Sequence, residues 1–195
     1  MDGMELHITG DPAADKLLSE DDFALLTGML LDQQVTMESA FAGPEKIRTR
    51  LGSLKPEAIA THDPAAFVEM FKERPAVHRF PGSMAARVQA LAAAVQDEWD
   101  GETAAIWTKG SPDGAEVLRR LKALPGFGEQ KAKIFLALLG KQRGLKASGW
   151  REAAGHYGDD GAYLSVADIV DPESLAKVRA SKQAAKAAAK AGKER

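Results

Sequence analysis

An all-α fold is predicted by three features of the sequence. Apolar residues recur at three- and four-residue intervals through most of the chain, strand-like alternation never runs beyond a few residues, and the periodic segments start at Asp-Pro, Ser-Pro or Lys-Pro pairs and stop at glycines. The one short alternation, Met4-Glu5-Leu6-His7-Ile8, gives way to Gly10 and Pro12, so residues 1–18 read as a lead-in segment. Ser19, with Asp22 three residues on, reads as a capping box for a helix through Phe23, Leu26, Met29 and Leu30 towards Phe41, stopped by Gly43-Pro44. Glu45 to Leu51 makes a second helix ending at Gly52. Lys55-Pro56 opens a short third around Ala58 to Ala60, and Asp63-Pro64 launches a fourth through Phe67, Met70 and Phe71.

A loop between Pro75 and Pro81, holding His78 and Phe80, leads into a long helix from Gly82 to Trp99 closed by Asp100-Gly101. Ile106-Trp107 reads as a helical turn, and Ser111-Pro112 as the cap of the next helix. Ser148-Gly149-Trp150 starts a short helix to Ala154, a glycine-rich loop follows to Gly161, and Asp171-Pro172 caps the last helix. That helix fades into an Ala/Lys-rich tail, residues 176–195, which has helix formers but no apolar face and is either helical or disordered. The expected organisation is one helical domain over residues 19–175 with this tail appended, and Trp99, Trp107 and Trp150 as packing residues.

The 195-residue chain can bury one substantial core or two small lobes. Its complete lack of cysteine rules out disulfides, thiolate nucleophiles and cysteine-ligated zinc or iron–sulfur sites. No export signal or stretch of eighteen apolar residues occurs, so a cytoplasmic protein without a membrane contact is expected, nucleoid-associated if bacterial. The net charge of −2 is unevenly spread: residues 176–195 hold seven Lys or Arg against one Glu, a balance of +6, which leaves −8 on the rest. Affinity for nucleic acid must then come from a local patch aided by the tail.

The segment Leu124-Pro125-Gly126-Phe127-Gly128 is the most distinctive. A helical pattern runs through Val117 to Ala123, breaks at Pro-Gly, and resumes from Glu129 with Ile134, Leu136, Leu138 and Leu139, giving a helical hairpin over residues 112–140. Glycines there permit a tight corner and a close backbone approach, and the second helix opens with unpaired N–H groups suited to an anion such as a phosphate. Alone, the motif is equally compatible with an ordinary helical hairpin.

With its neighbours, the segment resembles the helix-hairpin-helix DNA glycosylase superfamily, HhH-GPD, which includes endonuclease III. Three landmarks carry the resemblance in order: Leu30-Leu31-Asp32-Gln33-Gln34-Val35-Thr36, Gly82-Ser83-Met84-Ala85-Ala86-Arg87-Val88-Gln89-Ala90-Leu91, and Leu124-Pro125-Gly126-Phe127-Gly128, spanning roughly residues 20–150. The resemblance implies a two-lobed helical fold and a duplex DNA partner bound through Gly126, Phe127, Gly128, Gln130, Lys131, Gln33, Gln34 and Arg87. It also implies a monovalent cation at the hairpin backbone of Leu124 and Gly126. Gln34, with Gln33 beside it, is the candidate plug for the gap left by an everted base. No other cofactor is expected, and the protein is expected to be monomeric.

Two departures from the family pattern bear on catalysis. Bifunctional members place a Schiff-base lysine two residues after the second hairpin glycine; here that position is Gln130, and Lys131 is expected to point elsewhere because one residue rotates about 100° around a helix. The family's essential Asp lies about twenty residues beyond that glycine, a position occupied here by Ser148, and Lys141 to Arg151 contains no carboxylate. Asp32 and Glu152 are the candidate replacements, with Asp159, Asp160 and Asp168 more distant. Asp32 leads, because a carboxylate within an apolar helix must be paired or face a polar cleft. The four histidines lack ligand spacing, and His78-Arg79 either touches DNA or packs its loop. The implied activity is that of a monofunctional DNA glycosylase. A non-catalytic lesion-recognising protein of the same fold and a helical interaction module are the alternatives.

Overall fold

The computed structural model describes residues 5–194, and these form an all-helical protein without a strand. Eleven α-helices are present: α1 (Pro12–Glu20), α2 (Asp22–Leu31), α3 (Met37–Leu51), α4 (Pro56–Ala60), α5 (Pro64–Lys72), α6 (Pro81–Trp99), α7 (Ala105–Thr108), α8 (Gly114–Lys122), α9 (Glu129–Gln142), α10 (Trp150–Ala153) and α11 (Pro172–Lys193). Short 3₁₀ turns at Gly155–Gly158 and Val166–Asp168 complete the described chain. Asp11, Asp21, Asp63, Asp113 and Asp171 each accept a backbone N–H two or three residues on, so carboxylate caps start five of the helices.

Helix α2 organises the interior. Every residue from Phe23 to Leu31 is buried, the pattern of a helix surrounded by protein on all sides. It packs against α3 and α6 on one side and α9 on the other, with α1 closing over α2 and α3. The helices α2–α6 form one lobe, in which α4 and α5 pack on α6; α7–α10 with the two 3₁₀ turns form the other around α9. A single apolar core runs through both lobes. In the second lobe the Phe135 ring lies 5.7 Å from Trp107 and 6.2 Å from Phe127, and Trp150 fills the space that a side chain at Gly140 would take. Trp107 is fully buried, and Trp99 and Trp150 pack partly buried on the core.

Several boundaries differ from those expected. The lead-in segment contains α1, and Leu6 and Ile8 are core residues; Met4 lies outside the described residues. Ser19 does not start α2: its hydroxyl donates to the Asp15 carbonyl and accepts from the Leu6 N–H, while Asp21 caps α2. The helix expected to run to Phe41 breaks at Asp32, and Thr36 caps a new helix, α3, which passes straight through Gly43-Pro44. Both residues are buried there, and a Cβ at Gly43 would stand 2.6 Å from Leu31 Cδ1, so close packing on α2 takes precedence over the local signal to stop. Asp113 rather than Ser111 caps α8; Ser111 sits at φ 50° in the turn before it. The Ala/Lys-rich segment is helical to Lys193.

Candidate nucleic-acid interface

The hairpin joins α8 to α9 through Leu124–Gly128. Gly126 has φ 80°, and a Cβ added there would lie 2.4 Å from Leu30 Cδ1, so glycine is required both by conformation and by contact with the end of α2. Gly128 differs: it sits at φ −76° as the N-cap of α9, makes no side-chain cap, and a Cβ there would meet nothing within 4 Å. Space in front of Gly128 and the uncapped first turn of α9 leave backbone N–H groups directed at solvent, where an anion gains from both the donors and the helix dipole. Phe127, one of the hairpin residues expected to contact DNA through the backbone, buries its side chain in the core at 4 % exposure, and its N–H donates to the Leu124 carbonyl at 3.1 Å. Contacts from this residue to a ligand are therefore limited to its carbonyl.

The contact between Gly126 and Leu30 sets the hairpin beside the turn that follows α2. Lys131 tightens this junction: its Nζ donates to the carbonyls of Met29 at 2.7 Å and Asp32 at 3.0 Å. Lys131 thus points onto the end of α2, away from the partner of Gln130, and both residues line the cleft between the lobes. Burial pushes its ammonium down to about 8, partly offset by the nearby Asp32 carboxylate, with Lys182 and Arg87 lowering it further. Gln130, at the family's lysine position, donates from Nε2 to the Tyr157 hydroxyl at 2.9 Å.

Residues 32–36 turn sharply between α2 and α3, and His78 holds the turn from behind. Its Nε2 lies 3.1 Å from the Leu31 carbonyl and 3.0 Å from the Gln33 carbonyl, while Nδ1 accepts the Phe80 N–H at 3.0 Å. This pattern needs the neutral Nε2–H tautomer. Burial lowers the His78 pKa below its usual value, against the raising effect of the two carbonyls. Gln33 is fixed as well: Nε2 donates to the Leu30 carbonyl at 2.8 Å, and Oε1 accepts from Arg87 at 2.6 Å. Gln34 has no such restraint. It is exposed and held at φ 59°, a left-handed conformation that costs a non-glycine residue about 1 kcal/mol or more. Phe80, 41 % exposed with Arg79 over its ring, lines a smaller recess with Gln33, Gln34 and Arg87.

A cleft of about 940 Å³ opens between this turn, the start of α9 and α11. Asp32, Gln33, Gln34, Gln130 and Lys131 all line it, so the structure gathers five of the sequence-derived candidates in one place. Asp32 is the C-cap residue of α2, its side chain 8 % exposed and 3.5 Å from Lys182 Nζ. Glu152 lies elsewhere, exposed on α10. Ser148 is exposed too, its carbonyl accepting the Gly114 N–H at 2.7 Å. Of the remaining acids, Asp168 is buried against Lys141 at 2.6 Å and caps the 165–168 turn, Asp160 pairs with Arg151, and Asp159 is exposed, its carbonyl accepting from Lys141 Nζ at 2.7 Å. Tyr157, His156 and the 179–186 part of α11 also line the cleft, and sequence reasoning misses them because none belongs to a periodic apolar pattern.

An all-helical, two-lobed fold with an open helical hairpin beside an interlobe cleft defines the class as a helix-hairpin-helix protein. The model of the HhH-GPD superfamily of base excision DNA repair proteins matches residues 27–194, and the chain belongs to that family. Membership implies DNA binding, and the match takes in α11 as well as the three landmarks. No curated protein and no solved structure matches the chain significantly. Among the described residues, no helix is long and apolar enough to cross a membrane.

Proposed function

We propose that the protein is a monofunctional DNA glycosylase that hydrolyses the N-glycosidic bond of a damaged or mispaired base in duplex DNA. The observation that carries this reading is the placement of a shielded carboxylate, Asp32, in the cleft two residues from the unrestrained Gln34. Everting a base leaves a gap in the stack that a side chain must fill. Gln34 is free to do so, whereas Gln33 is held by Arg87 and the α2 carbonyl. Phe80, exposed beside Gln34, adds an apolar face to pack on neighbouring bases. The cleft volume falls within the range of about 300–1,000 Å³ typical of small-ligand sites, adequate for a nucleobase.

In the reaction, the bond from C1′ to the base nitrogen breaks with its electron pair leaving on the base, and water supplies the new C1′–O bond. Positive charge on the sugar develops next to Asp32, whose carboxylate stabilises it or takes the proton of the attacking water. The hairpin holds a backbone phosphate on the N–H groups at the start of α9. The Leu124 carbonyl keeps a lone pair beyond the one given to Phe127, and Gly126 is exposed, so these two can hold a monovalent cation that adds positive charge near that phosphate. Lys131, bound through its ammonium to two carbonyls, acts by fixing the Asp32 turn rather than as a nucleophile.

A second reading is a non-catalytic lesion-recognising protein of the same fold, favoured by Ser148 at the family's acid position and by the pairing of Asp32 with Lys182. Duplexes bearing uracil, hypoxanthine, alkylated purines or 8-oxoguanine, probed for abasic sites after incubation, separate the two. Release of a base supports the glycosylase; tight binding of a lesion duplex without release from any substrate supports the recognition protein.

A further inference from the structure

Helix α11 carries its cations in an ordered way. Arg179, Lys182, Lys186, Lys190 and Lys193 are spaced by three, four, four and three residues. At 100° per residue they fall on one stripe about 80° wide and about 21 Å long. The inner part of this stripe faces the cleft, where Arg179 pairs with Glu38 and Lys182 with Asp32. Little else holds that half of the helix. The last buried residue of α11 is Val178, and the apolar residues beyond it are all exposed alanines. The α11 anchor is Ser174, Leu175 and Val178, packed near the 166–168 turn.

The partners in the cleft are unevenly satisfied. Glu38 Oε1 is buried without a hydrogen-bond partner while Oε2 takes Arg179, so one ion pair supports a largely desolvated carboxylate. In both pairs the cation is the exposed member, Arg179 at 51 % and Lys182 at 36 %, so salt reaches and screens it, whereas a phosphodiester strand offers a row of anions whose capture also releases counterions. A cationic stripe latched onto two cleft carboxylates is therefore poised to exchange them for phosphates.

We propose that α11 is a second DNA-backbone surface that doubles as a lid: in the free protein its stripe rests on Glu38 and Asp32, and on docking it transfers to phosphates of the bound duplex, opening the cleft and releasing Asp32. This rests on the DNA-binding reading above but not on catalysis. It assigns Lys182 to holding Asp32 in check until DNA arrives, and it assigns Lys186, Lys190 and Lys193 to the strand leading away from the cleft.

The test uses the full chain, which has no native cysteine, with spin labels at Ala184→Cys on α11 and Thr49→Cys on α3. The distance between labels lengthens when undamaged duplex is added, and also when salt alone is raised. Duplex affinity, measured across salt concentrations, loses about 3 from its log–log slope in Lys186→Gln/Lys190→Gln/Lys193→Gln. Glu38→Gln tightens duplex binding by about 1.5- to 5-fold, the range of a lost surface ion pair, and this gain disappears in an Arg179→Gln background. Duplex binding with an unchanged label distance, or a Glu38→Gln gain that persists without Arg179, overturns the lid. Absence of duplex binding by the wild type overturns the DNA-binding reading itself, and the lid with it.

Discussion

Substituting each hairpin glycine by alanine separates the role of phosphate clamp from that of a mere turn. At Gly128 the backbone is at φ −76°, which alanine adopts freely, and the added Cβ meets no atom within 4 Å. Lowered unfolded-state entropy favours alanine by about 0.4–1 kcal/mol, and its poorer performance at an N-cap offsets this by a similar amount, about 0.5–1 kcal/mol. Gly128→Ala therefore leaves stability within about 0.5 kcal/mol of wild type. Its methyl group nevertheless projects into the space a phosphate must enter to reach the α9 N–H groups. A hydrogen bond to a charged acceptor contributes about 1.5–3 kcal/mol, so duplex affinity falls roughly 10- to 150-fold. Gly126→Ala behaves differently, losing about 1–3 kcal/mol of stability from its φ of 80° and the 2.4 Å approach to Leu30. Urea unfolding and fluorescence anisotropy with a labelled duplex, at one fixed salt concentration, measure both quantities. Because phosphate contacts position without reading sequence, the loss in Gly128→Ala is equal for damaged and intact duplexes. A folded Gly128→Ala protein that binds duplex as the wild type does would refute the clamp.

Gln34→Gly relieves the left-handed strain by about 1 kcal/mol and adds unfolded-state entropy of similar size, so melting is nearly unchanged, while the ratio of lesion to intact-duplex affinity falls several-fold; an unaltered ratio removes Gln34 from lesion recognition. His78 has a folded pKa below its usual 6.5, so the unfolded chain binds the extra proton first, and its contribution to stability is present above pH 6.5 and is lost as pH falls towards the folded pKa. Urea midpoints should therefore show a step below pH 6.5 that is missing in His78→Gln. Borohydride treatment of protein mixed with lesion or abasic duplex should trap no covalent adduct, since Lys131 holds two carbonyls; an adduct lost in Lys131→Gln would reassign Lys131 as a nucleophile.

Local signals mark most helices, because Asp63-Pro64 and Asp171-Pro172 act through capping and fixed φ, and Lys55-Pro56 through fixed φ alone, regardless of tertiary context. Gly52 and Asp100-Gly101 stop their helices in left-handed conformations for the same reason. Where packing prevails, the local reading failed. Gly43-Pro44 continues a helix because Leu31 and Val77 press against Gly43, and the helical spacing of apolar residues from Leu26 through Leu30 towards Phe41 conceals a break enforced by His78, 47 residues away from Leu31. Thr36, which caps α3, was the local clue to that break.

The candidate site was legible as segments and not as an arrangement. The Gln turn, the Arg87 helix and the hairpin are recognisable in the sequence, yet the contact of Gly126 with Leu30 and the reach of Lys131 to Met29 depend on how α2 meets α9. Glu152 is a candidate by helical spacing from Ser148, but α10 and the turn before it, which carry the two residues, lie outside the cleft. The position of α11 was least accessible of all, since ion pairs to Glu38 and Asp32 leave no periodic signature.

The most direct measurement is base release by Asp32→Asn. This change keeps the size of the side chain and removes its negative charge, so it withdraws the stabilisation of the developing sugar cation and, by loosening the Lys182 contact, leaves DNA binding intact or favours it. On whichever lesion the wild type excises, the single-turnover rate falls by about 10²- to 10³-fold with duplex affinity unchanged or tighter. Release at the wild-type rate by Asp32→Asn, or the absence of release by the wild type from every lesion offered, would contradict the proposed role of Asp32.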